Sequence, residues 1–105
     1  MTFTQFAKEV LGYDTITTFW DDFSIAAHFG LAAVKDTFDR AFAEWKTDYK
    51  YLTELVLVLN HKIWQHYKEN PKLAELYNEL WNKAGEYACK HLKDEEFEYF
   101  YTVTD

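Results

Sequence analysis

The sequence is poor in residues that bend, brace or catalyse. Its 105 residues include one proline, three glycines and one cysteine, and Ser24 is the only serine. So few turn residues exclude a turn-dense β-sandwich. A lone Cys89 cannot form an intrachain disulfide, and nothing points to an oxidising compartment. Nucleophiles are equally scarce. Ser24 has no G-x-S-x-G frame, and Cys89 falls on the polar side of a helix with its nearest histidine, His91, aimed elsewhere. There is no glycine-rich phosphate loop. The carboxylate pairs Asp21-Asp22 and Glu95-Glu96 are adjacent in sequence, so they diverge on a helix and read as partners of helix starts. The expectation is a non-enzymatic protein with no cofactor.

Long hydrophobic runs are also missing. The longest is Leu55–Leu59, whereas a membrane span needs about twenty apolar residues. The opening Met1-Thr2-Phe3-Thr4 lacks a charged region followed by an apolar stretch, so no signal peptide is expected. These absences predict a cytoplasmic protein with no membrane partner.

Positive charge is in short supply: eleven Lys and Arg stand against eighteen Asp and Glu, a net charge of −7. A phosphate backbone repels such a chain, which makes nucleic acid an improbable partner. The deficit is uneven. Residues 1–45 and 73–105 are acidic, while 46–72 hold Lys46, Lys50, Lys62, Lys68 and Lys72 against Asp48, Glu54 and Glu69. That mildly basic centre is the one place suited to a small anion.

What the chain does have is apolar and aromatic mass, 49% hydrophobic and 20% aromatic, arranged with helical periodicity. Phe3, Phe6, Ala7, Val10 and Leu11 form one stripe, predicting a helix over about 3–11 closed by Gly12. Phe19, Trp20, Phe23, Ile25, Ala26 and Phe29 predict a very apolar helix over about 19–29, ended by Gly30. Leu31, Val34, Phe38, Ala41, Phe42 and Trp45 predict an amphipathic helix over about 31–46. Asp48 caps the next, over about 49–69. There Leu52, Leu55, Val56, Leu59, Ile63 and Tyr67 share a face, while Leu57, Val58 and Trp64 lie off it. A helix apolar most of the way round belongs at the centre, and with so few elements to cover it, self-association is expected. Asn70-Pro71 opens a helix reaching about residue 92. Asp94 caps a last short helix carrying Phe97, Phe100 and Tyr101, although 97–103 also alternates like a strand. The predicted fold is an all-α single domain, 1–105, a bundle of five or six helices around the helix at about 49–69.

Two site readings fail on spacing. Histidines His28, His61, His66 and His91 include no i, i+4 pair and none has a glutamate three residues before it, so no metal site is expected. Residues 25–31 suggest a helix-turn-helix, but the apolar residue expected six positions after Gly30 is Asp36, and Asp36 and Asp39 would face bases and phosphates. His66 reads as a satisfied core or boundary histidine, and His61 and Glu54 as solvated.

The aromatic excess remains. Most rings fit the core stripes, but Trp64, Tyr49, Tyr51 and Tyr99 do not. Tyr49, Tyr51 and Trp64 are taken as exposed contact rings for a protein partner, with the acidic flanks favouring a basic one. The alternative is a nucleotide-sequestering sponge, its rings beside His61, Lys62, His66, Lys68 and Lys72 with the cations on phosphate. Taken whole, and most of all in Trp45-Lys46-Thr47-Asp48-Tyr49-Lys50-Tyr51-Leu52, Asn70-Pro71 and the closing Phe100-Tyr101, the chain resembles small acidic helical proteins of bacteriophages and mobile elements. That resemblance implies a bacterial host cytoplasm and a factor that binds a host or defence protein, in the manner of anti-CRISPR inhibitors. It gives no residue a role.

Overall fold

The computed structural model describes residues 15–104, with side chains described from Phe19 onward. The helix expected over 3–11 lies outside the described residues. Within them the fold is all-α, with five helices and no strand: α1 Thr15–Phe29, α2 Leu31–Trp45, α3 Tyr49–His66, α4 Pro71–His91 and α5 Glu95–Thr104. Residues 97–103 are therefore helical rather than extended.

Local chemistry sets the boundaries. Gly30 is the whole joint between α1 and α2, at φ 112° and ψ 177°, a region that side-chain-bearing residues rarely enter. The Asp48 carboxylate accepts from the backbone N–H groups of Lys50 at 3.0 Å and Tyr51 at 3.2 Å, satisfying two of the donors that a helix start leaves open. The Asn70 side chain accepts from the Leu73 N–H at 3.3 Å, and Pro71 follows where its missing donor is harmless. The helix α3 stops at His66, short of the expected 69, leaving 67–70 as a tight link that lays α3 and α4 side by side. Asp94, at φ 55°, turns the chain into α5, whose first turn carries Glu95, Glu96 and Glu98 at the positive end of the helix dipole.

The packing centre is α3, which touches each of the other four helices. Every residue from Leu52 to Leu59 is buried, two full turns with no wet side. They meet Phe19, Phe23 and Ala26 of α1, Val34 and Phe38 of α2, Leu76, Tyr77, Leu80, Ala84 and Ala88 of α4, and Phe100 of α5 in one continuous core. The central helix is thus covered within a single chain, which removes the ground on which self-association was expected.

Candidate functional site

Two buried polar residues of α3 differ from the sequence expectation. Glu54, expected on the wet side, is fully buried, and Lys62, two turns further, is 1% exposed. The Lys62 ammonium donates to the Ser24 hydroxyl and lies 3.7 Å from the centroid of the Trp20 ring. Ser24 in turn donates to the Trp20 carbonyl at 2.9 Å. Burial pushes the Lys62 pKa down to about 8, and the Asp21 carboxylate opposes that shift. His66, one turn on, is stacked 5.9 Å from Tyr77. Burial lowers its pKa first and the Lys62 charge lowers it further, while Glu69 acts the other way. Burial also lowers the pKa of His61, which is half-buried rather than solvated.

This arrangement does not assemble the anion site of the sponge reading. Lys62 is spent inside, on Ser24 and Trp20. Lys68 is exposed and rests over the Tyr67 ring at 5.5 Å, and Lys72 is exposed at the start of α4. Among the described residues no cluster of His, Cys, Asp or Glu is placed to hold a metal ion.

The three rings expected to be exposed divide. Trp64 is 66% exposed and packs edge-on against the exposed Tyr67, centroids 5.6 Å apart. Tyr49 and Tyr51 are half-buried, contrary to expectation. Tyr51 stacks on Trp45 at 4.2 Å across the turn between α2 and α3, and Tyr49 meets Tyr99 of α5 edge-on at 5.4 Å. Their neighbours come from other helices, which a single helical wheel does not show.

Another surface feature lies along α1 and α2. A groove of about 620 Å³ runs between them. Its floor is Phe19 and Ala26 from α1 with Ala33, Ala41 and Trp45 from α2. Ile25 and Phe29 stand on its edge, 59% and 79% exposed. Asp22, Asp36 and Glu44 line it with one cation, Arg40. The lining positions on α2 extend from Ala33 to Trp45, about 18 Å at the helical rise per residue, so the hollow is a trough rather than a cup. Gly30 makes it possible, since a one-residue joint sets the two helices against each other and leaves Phe29 at the corner. Of the two acids that count against a helix-turn-helix, the structure places Asp36 in this same trough and Asp39 in the open, 3.9 Å from Lys83. A carboxylate-bearing face of that kind repels a phosphate backbone.

The sequence carried a faint sign of the trough. The apolar residues of α1 cover an arc too wide for one buried face: Phe19, Phe23 and Ala26 take the inside, and Ile25 and Phe29, four apart, form a second stripe that stays exposed. No helix among the described residues is long and apolar enough to cross a membrane. The chain matches no family model, and no curated protein or solved structure is significantly similar to it.

Proposed function

We propose that this protein is a non-enzymatic binding module whose α1–α2 trough receives an amphipathic helix with basic edges from another protein. The observation that carries the reading is the pairing of an apolar floor with three carboxylates and one guanidinium along a trough about three turns long. An apolar helix face supplies the buried area, and lysines or arginines flanking it meet Asp22, Asp36 and Glu44. Phe29 and Ile25 are the anchors, because large exposed rings and branched chains at the edge of a hollow release the most water on docking. A second copy of the chain fits less well. A two-fold pairing through this trough would set each acidic rim against its own image. A partner from a bacterial host or its defences, met by a protein of phage origin, is the setting that the likeness to phage proteins suggests.

The reading is tested with two fluorescent model helices of equal length, one with leucines flanked by lysines and one with leucines flanked by glutamates. The lysine peptide binds the wild type, weakens with added salt, and loses at least about tenfold in affinity in Ile25→Glu and Phe29→Glu, whose melting temperatures stay near wild type. Equal binding of both peptides, or binding untouched by those substitutions, overturns the proposal.

A further inference from the structure

A second hollow, of about 420 Å³, lies on another part of the molecule, between α4 and α5. Its volume falls in the range of small-molecule sites. We infer that it is a binding site for a small, uncharged, ring-bearing apolar molecule. The floor is Val56 of the central helix, with Trp81 of α4 and Phe100 of α5 as walls. Two aromatic walls favour a flat ring, which they meet by offset or edge-on contact.

Gly85 is the independent sign. It sits in the middle of α4, where glycine destabilises a helix by about 1 kcal/mol relative to alanine. Its backbone does not require it, because Gly30 is the described glycine with positive φ. Close packing does not require it either, because a Cβ built at Gly85 meets nothing within 4 Å. What the missing side chain does is leave the hollow open, since Gly85 is part of its lining.

The charge at the rim selects the ligand class. The whole chain is at −7, yet this rim carries Glu86 and Lys90, one turn apart and of opposite sign, so it neither attracts nor repels by net charge. The Asn82 amide beside them offers one donor and acceptor pair for a single polar handle. Cys89 lies on the same rim as an exposed free thiol, and as the only cysteine in the chain it gives chemical access to this hollow alone.

The probe is N-phenyl-1-naphthylamine, compared with its sulfonated, anionic counterpart, 1-anilinonaphthalene-8-sulfonate. The neutral dye binds the full chain saturably, one molecule per chain, with blue-shifted emission, and the anionic dye binds at least about tenfold more weakly. Gly85→Leu fills the hollow with a better helix former and loses the neutral dye by at least about tenfold while the helical circular dichroism is kept. Reaction of Cys89 with N-phenylmaleimide gives the same loss without any substitution, so a failure of the leucine variant to fold does not shelter the proposal. Absence of saturable binding overturns it. So does binding that survives both changes, or binding that is lost in Ile25→Glu, which would place the dye in the α1–α2 trough instead.

Discussion

The ammonium of Lys62 lies 3.7 Å from the centroid of the Trp20 indole, inside the protein, with the Ser24 hydroxyl as its hydrogen-bond acceptor. A π face and one hydroxyl replace the water shell of a full charge. The cation–π contact contributes about 2 kcal/mol when desolvated, less than burial of an ammonium costs, which is why the pKa falls from 10.5 to about 8. The unfolded chain holds this proton up to pH 10.5, and the folded one releases it near 8. The unfolded state therefore binds more protons between those values, and stability rises with pH across that window. Lys62→Met is expected to be more stable than wild type by about 2 kcal/mol at pH 7, with the difference shrinking towards pH 10. Urea melts of both proteins at pH 7, 9 and 10 check this. A wild type more stable than the variant at pH 7 would show that the indole and hydroxyl outweigh the desolvation.

Gly30 tests the joint between the first two helices. A Cβ there meets no atom within 4 Å, so space is not the constraint. The constraint is φ at +112°, which alanine adopts only with strain. Gly30→Ala is expected to lower stability by about 1–3 kcal/mol. It also weakens the lysine peptide, because relief of the strain changes the angle between α1 and α2. If thermal denaturation shows no loss, the one-residue joint is not set by glycine.

Three rings distinguish packing from display. Tyr51→Ala removes the stack on Trp45 at 4.2 Å and opens a gap at the α2–α3 turn, with an expected loss of about 2 kcal/mol for a half-buried ring. Trp64→Ala removes a ring that is 66% exposed, with an expected change within about 0.5 kcal/mol. Chemical denaturation of the two variants gives the comparison. Similar losses would mean that Trp64 is as deeply held as Tyr51.

The contrast shows what helical spacing reveals and what it hides. Asp48, Asn70 and Pro71 announce their helix starts because capping is a local matter of one side chain and two or three backbone donors. The central place of α3 was legible because Leu52, Leu55, Val56, Leu57, Val58 and Leu59 surround most of the helix, with only Thr53 and Glu54 between them. The burial of Lys62 was not, although it stands seven residues after Leu55 and so on the same stripe. Residue type argues for water, and only the arrival of Ser24 and Trp20 from another helix makes an interior place tolerable. Tyr49 and Tyr51 misled for the same reason, since their partners Tyr99 and Trp45 are set by tertiary packing. Both hollows belong to pairs of helices, and periodicity within one helix says nothing of the space between two.

Tyr77 provides the opposite alkaline signature to Lys62. Its ring is fully buried, edge-on to Phe23 at 5.9 Å, with its hydroxyl donating to the Phe23 carbonyl at 3.5 Å. Burial pushes its pKa up to about 12. The unfolded chain gives up this proton near its ordinary value of 10.0, so below that pH neither state is penalised. Between 10 and 12 the folded state alone keeps the proton, and stability falls as pH rises. The Lys62 effect raises stability up to about pH 10.5 and the Tyr77 effect lowers it from about pH 10 upward, so the two overlap only near pH 10–10.5 and are told apart by their opposite signs. Tyr77→Phe removes a long hydrogen bond and is expected to change stability by under about 1 kcal/mol at pH 7. Above pH 10 the variant is expected to hold its stability better than wild type, by about 2 kcal/mol near pH 12. In a spectrophotometric titration of the folded proteins, the difference between them is a single phenol ionising near pH 12. A phenol that ionises near 10 instead would mean that water reaches the Tyr77 hydroxyl and that the junction of α1, α3 and α4 is open.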